Sequence, residues 1–143
     1  MAADQLSSDE AKDLVRSWWT ALGNNDQAQV VDLLHDDVIW EVKFVGKWLP
    51  SNGVSRGKQA VTKNCIELFG QMYDTNRLTV QITNMVSDGR SVVLEFSIDG
   101  FTAAGVRYDR VEYVAVVELE NGKVKHVREY MDALKAVESH SLA

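Results

Sequence analysis

The pattern of apolar residues along the chain predicts an α+β fold, in which three N-terminal helices pack on a strongly curved antiparallel sheet. The first observation is that apolar residues recur with helical spacing in three segments between residues 8 and 73. The second is that residues 78–132 alternate between apolar and polar with a period of two and are divided by turn-forming residues. Helices that close one end of a bent sheet would form a cone-shaped α+β barrel with an interior pocket.

All three helices are predicted to precede the long run of strands. The first begins at a capping box formed by Ser7 and Glu10, and its apolar stripe includes Trp18. The second ends near His35, and the short connection between the two predicts a packed helical hairpin. The third helix covers residues 57–73.

The strands are predicted at residues 38–44, 78–86, 91–99, 108–119 and 124–132. Alternation places one set of residues on the inner face of the sheet, namely Trp40, Val42, Phe44, Asn84, Phe96, Ile98, Val111 and Tyr113. As a residue near a strand end, Asn84 is equally compatible with an exposed position. The loop that carries Trp48 is expected to cover the mouth of the pocket, and the chain after Leu134 is expected to be a frayed helix or coil.

The last two strands form a hairpin around Asn121 and Gly122, and the length of the turn decides which face Glu129 occupies. A two-residue turn would place Glu129 opposite Val114, on the outer face, as an ordinary exposed charge. A three-residue loop would place it opposite Tyr113, on the inner face. The residues of the turn allow both.

Length and composition indicate one domain spanning residues 1–143, with a core at about 8–134 and flexible ends. The net charge of −6 and the pI of about 5.0 argue against a nucleic-acid partner, and no apolar run is long enough to predict a membrane span. A single cysteine, Cys65, and a polar N-terminal stretch without a signal-peptide pattern predict a cytoplasmic location. The three histidines lack metal-binding spacing, so no metal site is expected.

Three stretches resemble the nuclear transport factor 2-like superfamily and, within it, the SnoaL-like proteins. They are Leu33-Leu-His-Asp-Asp-Val-Ile-Trp40, the Arg56-Gly57 opening of the third helix, and Asn121-Gly-Lys-Val-Lys-His-Val-Arg-Glu-Tyr-Met-Asp132. The resemblance covers about residues 8–134. It implies a helix-closed sheet with a pocket, but this fold carries isomerases, cyclases, dehydratases, epoxide hydrolases and proteins without catalysis.

The catalytic patterns of these relatives differ in how well they fit the chain. At the positions of the ketosteroid isomerase tyrosine and two acids, the chain has apolar residues, namely Trp18, Val42 and a residue near Val114. The Arg-x-Asp pair of limonene-type epoxide hydrolases falls on Phe96 and Ile98, but the last-strand acid of those enzymes and of SnoaL-type aldol cyclases falls on Glu129. In these relatives that acid faces the cavity, and the resemblance therefore favours the three-residue turn.

An inward-facing Glu129 would be a carboxyl group among apolar side chains, where desolvation raises its pKa toward neutrality. Such a group suits a general base that abstracts a C–H proton or activates water. Tyr113, predicted directly opposite, would bind the substrate oxygen. Asp109 is a candidate second acid at the rim, although its position favours a solvated residue at the start of a strand, paired with Arg107 or Arg110.

We therefore expect a cofactor-independent aldol cyclase or isomerase that acts on an apolar, cyclic, oxygenated metabolite. The alternatives are an epoxide hydrolase of the limonene type and a non-catalytic ligand-binding or dimerisation module of the same fold. The residues expected to bind the substrate are Trp18, Trp40, Phe44, Trp48, Asn84, Phe96, Ile98 and Val111. Apolar residues among the charges of the outer face, including Val114, Val116, Ile39 and Tyr130, predict a homodimer through that face.

Overall fold

The computed structural model describes residues 5–141, which form one six-stranded sheet with helices packed against it. The helices are α1 (Ser8–Gly23), α2 (Gln27–Asp32), α3 (Lys58–Val61), a π-helical segment (Thr62–Glu67), α4 (Leu68–Met72) and α5 (Ala133–Ser139). The strands are β1 (Leu34–Val42), β2 (Val54–Arg56), β3 (Tyr73–Ser87), β4 (Ser91–Thr102), β5 (Arg107–Glu120) and β6 (Lys123–Met131). Within the described chain, no helix has the length and apolar character needed to span a membrane.

The N-terminal helix forms for the reasons that its sequence indicates. Ser7 accepts a hydrogen bond from the backbone N–H of Glu10, and the Glu10 side chain accepts one from the backbone N–H of Ser7, which completes the capping box. The indole N–H of Trp18 donates to the backbone carbonyl of Val30, so that it ties α1 to α2. Trp18 is therefore fully buried in the core rather than in the pocket wall.

The sheet confirms the predicted α+β class but is mixed rather than antiparallel. Its strand order is β2-β1-β6-β5-β4-β3, and β1 pairs with β6 in parallel, while the other neighbours are antiparallel. The sheet is also open, since β2 and β3 are edges, and it does not close into the expected barrel. A parallel β1–β6 pair is possible because the intervening chain supplies a long crossover connection.

The predicted three-residue hairpin loop is wrong. Glu120 pairs with Lys123, which leaves a two-residue turn in which Asn121 and Gly122 both have positive φ. Glu118 then pairs with His126 but Leu119 with Val124, so that one extra residue bulges out of β6 at position 125. This bulge reverses the alternation of the strand, and Glu129 lies opposite Ala115 on the inner face, not opposite Tyr113.

Two further bulges move predicted site residues to the surface. In β5, Asp109 and Arg110 together lie opposite the single residue Asp99 of β4, between the pairs Ile98–Val111 and Gly100–Tyr108. Arg110 has a positive φ of 45°. Tyr108 is consequently buried and Asp109 exposed, the reverse of the simple alternation. In β3, a register shift after Ile82 turns Asn84 outward, where its amide donates to Glu95.

The regions at the ends of strands also differ from the expectation. Phe44 follows β1 with a φ of 71° and is 69% exposed, so it packs against Tyr130 outside the pocket. Trp48 is half-buried in a short 3₁₀ segment, with the ammonium of Lys47 over its ring. The chain after Leu134, expected to be frayed, continues helix α5, which buries Ala136 and Val137.

Candidate active site

An apolar pocket lies between the inner face of the sheet and the helices that cover it. Its volume is about 110 Å³, and it is lined by residues from α1, every strand except β2, the loop after β1 that contributes Val45 and Leu49, the segment from 64 to 72, and α5. The polar or titratable side chains in its wall are Trp19, Trp40, Asn64, Cys65, Tyr73, Tyr108, Tyr113, Glu129 and His140. Except for Glu129, the part of the chain that the structure describes contributes no acidic side chain to this wall, and it contributes no lysine or arginine.

Glu129 is the acid of this pocket because β6 turns it inward beyond the bulge. Trp40, on the neighbouring strand β1, donates its indole N–H to the Glu129 carboxyl at 2.5 Å. Burial raises the pKa of Glu129 from 4.5 to about 7, and the hydrogen bond from Trp40 only partly opposes this effect. The carboxyl is thus half ionised near neutral pH, which is the range in which a general base is effective.

Three buried tyrosines form a hydrogen-bonded cluster in the same wall. The Tyr113 hydroxyl bonds to that of Tyr108 and lies 3.4 Å from that of Tyr73. Burial, first of all, holds the pKa of each tyrosine above its usual value, and the charge of Glu129 adds to this for Tyr73 and Tyr108. All three therefore stay protonated. Since two hydrogen bonds use two of the three hydroxyl protons, one proton is left to donate to a bound ligand.

The π-helical segment brings two further polar residues, Asn64 and Cys65, to the pocket. Asn64 lines the wall and donates its amide to the hydroxyl of buried Ser55 at 3.2 Å. Next to it, Cys65 has its pKa raised to about 12, mainly by burial and also by the charge of Glu129. This thiol stays protonated at neutral pH and is not a nucleophile. π-Helical turns occur often at functional sites.

Two ring nitrogens of the pocket wall are buried without a partner. Neither Nε1 of Trp19 nor Nε2 of His140 has a hydrogen-bond partner among residues 5–141. Trp19 stacks on Trp40, with ring centroids 6.0 Å apart, and meets Phe96 edge-on at 4.8 Å. His140 meets the rings of Tyr73 and Tyr108 at 4.9 and 5.1 Å.

The structure brings together some of the predicted site residues and separates others. Glu129, Tyr113, Trp40 and Ile98 line the pocket. Phe96 and Val111 are buried behind the wall, Phe96 being stacked on Tyr113 at 4.9 Å. Asp109, Asn84, Phe44, Trp48 and Trp18 lie outside the wall for the reasons given above. Whether any of these residues acts in catalysis stays a prediction.

Among the polar residues of the wall, sequence reasoning missed Trp19, Asn64, Cys65, Tyr73, Tyr108 and His140. Trp19 directly follows the predicted stripe residue Trp18, and a helix that is covered on two sides buries both. Tyr108 was missed because the bulge at 109–110 reverses the alternation of the strand, and His140 was missed because the C-terminal tail was expected to be frayed. Their sequence neighbours gave no signal, since Tyr108 lies between Arg107 and Asp109 and His140 lies between Ser139 and Ser141. Over the described chain, no group of three or more His, Cys, Asp or Glu side chains could hold a metal ion.

Comparison with solved structures defines the fold as nuclear transport factor 2-like. An NTF2-like protein of unknown function from Burkholderia pseudomallei has a TM-score of 0.77 at 16% identity, with 91% of this chain and 96% of that chain covered. A putative isomerase from Bacillus subtilis has a TM-score of 0.74 at 19% identity, over 94% of this chain and 95% of that chain. A limonene-epoxide-hydrolase-like epoxide hydrolase of M. tuberculosis has a TM-score of 0.68 at 22% identity, over 94% and 91%. At these identities the likeness shows the fold alone.

The family follows from the sequence itself. The profile of the SnoaL-like domain matches residues 15–136, which is most of the chain. The protein belongs to the SnoaL-like domain family, as the resemblance in the hairpin and in β1 predicts. No curated protein sequence matches the chain significantly.

Proposed function

We propose that the protein is a cofactor-independent acid/base enzyme that moves a proton at the carbon next to a carbonyl group. Its reaction would be an isomerisation or aldol cyclisation of a small, apolar, cyclic, oxygenated metabolite. The observation that carries this proposal is that a carboxyl with a pKa of about 7, that of Glu129, shares one apolar pocket with a cluster of protonated tyrosines. A base and a hydrogen-bond donor are the two groups that enolisation requires.

The chemistry balances with the groups present. The Glu129 carboxylate removes the C–H proton, and the electron pair of that bond moves to the carbonyl oxygen, which becomes an enolate. The enolate oxygen accepts the spare proton of the tyrosine cluster as a hydrogen bond. In an isomerisation, protonated Glu129 then returns its proton to another carbon as the carbonyl re-forms. In an aldol cyclisation, the enolate carbon attacks a second carbonyl, the π pair of that carbonyl moves to its oxygen, and the resulting alkoxide takes the proton from Glu129. No group outside the pocket is consumed in either route.

The test is exchange of α-protons for deuterium. Cyclohexanone, 2-cyclohexenone and 2-indanone would be incubated with the protein in D₂O, and loss of the α-proton signals followed by NMR. We expect exchange of at least one ketone at a rate proportional to protein concentration and well above that in buffer. Exchange that never exceeds the buffer rate, with ketones that do bind in the pocket, would favour a non-catalytic ligand-binding module.

Epoxide hydrolysis is the second candidate, and one observation favours it. Glu129 could take a proton from a water that attacks an epoxide carbon, while the C–O bond breaks and a tyrosine donates its proton to the epoxide oxygen. Glu129 would then return its proton to that tyrosine, so that one carboxyl suffices. Against it, the positions of the Arg-x-Asp pair hold buried, apolar Phe96 and Ile98. Formation of diol from cyclohexene oxide or limonene oxide, without ketone exchange, would make this the better assignment.

We further propose a homodimer formed through the outer face of the sheet. Val114, Val116, Ile39 and Tyr130 are half-buried there, and exposed Phe44 packs against Tyr130. A charged network borders this patch, in which Glu118 pairs with Arg128 and His126. We expect a dimer in light-scattering measurements, and a monomer when Val116 is replaced by lysine. The control is Val86→Lys on the exposed side of β3, and a wild-type monomer at high concentration would contradict the prediction.

We also propose that the protein is cytoplasmic. The chain has one cysteine, Cys65, and the structure buries most of its thiol beside Ser55. A reducing compartment keeps such a thiol unmodified.

A further inference from the structure

His140 contains the clearest unexplained polar atom of the pocket. Its Nε2 is buried, and no described residue offers it a hydrogen bond. A buried polar atom without a partner is destabilising, and such atoms in native proteins are nearly always paired with protein, water or ligand. Because His140 lines the pocket, the partner that this atom lacks can come from a bound molecule.

The orientation of the ring is held by its surroundings rather than by a hydrogen bond. The imidazole lies edge-on to the ring of Tyr73, with an interplanar angle of 79°, and at 50° to that of Tyr108. Helix α5 carries it, and this helix is capped by the Asp132 side chain and anchored by buried Ala136 and Val137. The backbone N–H of His140 donates to the carbonyl of Ala136, which fixes the residue at the end of the helix.

The imidazole is adjacent to the part of the pocket where a spare tyrosine proton is available. Tyr73 and Tyr108 are two members of the hydrogen-bonded cluster, and both touch the His140 ring. Burial lowers the pKa of His140, so the ring is neutral at pH 7, with one nitrogen as donor and the other as acceptor. With the proton on Nε2, the ring and a phenol can both donate to one carbonyl oxygen, and with the proton on Nδ1, Nε2 can accept from the O–H of an enol or hydroxyl.

The charge of the wall restricts what such an oxygen can belong to. Within residues 5–141 no lysine or arginine lines the pocket, so a phosphate, sulfate or carboxylate would find no cation there. Above pH 7 the Glu129 carboxylate would also repel an anion. The ligand is therefore an uncharged molecule, and the pocket volume of about 110 Å³ suits a single ring.

We propose that His140 is a substrate-binding residue whose Nε2 hydrogen-bonds the oxygen of an uncharged ketone or enol next to Tyr73 and Tyr108. The identity of this substrate class rests on the proposed function, whereas the hydrogen bond to Nε2 does not. In an enzyme, this contact would place the carbonyl oxygen at the tyrosines before Glu129 acts on the neighbouring carbon. It would make α5 part of the site, although the helix lies at the C-terminal end of the chain.

The test uses phenol as the probe, since a phenol is a stable enol of ring size, and toluene as its match without oxygen. Dissociation constants would be measured by NMR titration for the wild type, His140→Phe and His140→Gln. Phenylalanine keeps an aromatic ring against Tyr73 and Tyr108 but removes the nitrogen, and glutamine restores a polar atom near the position of Nε2. We expect His140→Phe to weaken phenol binding about tenfold, with toluene binding within about twofold and phenol binding largely restored in His140→Gln.

A spectroscopic measurement separates a contact with the ligand from a structural role. In the ¹⁵N-labelled wild type, phenol should move the Nε2 resonance of His140, and toluene should leave it almost unchanged. Equal weakening of phenol and toluene, an unmoved Nε2 resonance, or phenol binding no tighter than toluene to the wild type would each overturn the proposal.

The outcomes also distinguish this inference from the proposed function. If phenol binding depends on His140 but the protein exchanges no ketone protons, the proposed binding site is supported and the proposed enzymatic activity is rejected. If His140→Phe exchanges ketone protons with an unchanged KM, the proposed enzymatic activity is supported and the proposed contact between His140 and the substrate is rejected. A loss of exchange in His140→Phe that appears in KM and is restored in His140→Gln would support both.

Discussion

Replacing Glu129 with glutamine should lower the rate of α-proton exchange by about 10²–10⁴-fold, the usual contribution of a general base. Glutamine has nearly the shape of glutamate and can still accept the hydrogen bond from the Trp40 indole. It cannot take up a proton, however, and the pocket wall has no other acid among the described residues. The measurement is deuterium exchange of the best ketone substrate, together with its binding affinity.

The matched control is Glu112→Gln, which makes the same change at an exposed position of β5. We expect the control to exchange ketone protons at the wild-type rate, and Glu129→Gln to bind the ketone with nearly the wild-type affinity. The wild-type rate should also rise with pH up to about 7, where the Glu129 carboxyl loses its proton. A Glu129→Gln variant that retains full exchange would exclude Glu129 as the base.

The same substitution should stabilise the protein at alkaline pH. The pKa of Glu129 is raised from 4.5 to about 7 in the folded state by burial. Between these two values the unfolded chain has lost the proton that the folded protein keeps, so the free energy of unfolding of the wild type falls as the pH rises through this window. At about 1.4 kcal/mol per pH unit, the loss approaches about 3 kcal/mol and levels off above pH 7. Glutamine carries no such proton and escapes the loss.

Urea unfolding of the wild type and Glu129→Gln at pH 4.5 and pH 8 measures this effect. The difference between the two proteins should be small at pH 4.5 and should grow by about 2–3 kcal/mol in favour of the variant at pH 8. The Glu112→Gln control should differ from the wild type by no more than about 0.5 kcal/mol at either pH. A difference that does not change with pH would mean that Glu129 ionises as freely in the folded protein as in the unfolded chain.

The fold class and the family could be predicted because they depend on patterns that extend over many residues. The capping box at Ser7 and Glu10, the alternation in β4 and the Asn121-Gly122 turn each act locally and agree with one another. The parallel pairing of β1 with β6 depends on contacts between residues nearly 90 positions apart, such as Trp40 and Val127, and no local pattern reports it.

The site was harder to predict because single extra residues in strands decide it. Alternation alone assigns Asp109 to the inner face, yet the bulge next to it buries Tyr108 instead. Asn84 was misplaced by the same kind of shift in β3. For Glu129, the family resemblance indicated the inner face and therefore a three-residue turn. The structure has a two-residue turn, and the bulge at position 125 is what turns Glu129 inward.

The bulge at position 125 has a consequence for how this hairpin tolerates changes in length. Inserting one residue between Gly122 and Arg128 would shift Glu129 to the position opposite Val114, on the outer face, and place Arg128 opposite Ala115, whereas deleting Lys125 would only remove the bulge. The presence of an acid in the pocket thus depends on the number of residues in this part of the hairpin as well as on their identities. A sequence alignment that overlooks a one-residue gap in this hairpin would align an inward-facing acid of one protein with an outward-facing acid of another. A binding protein without an acid in its pocket would then be assigned as an enzyme.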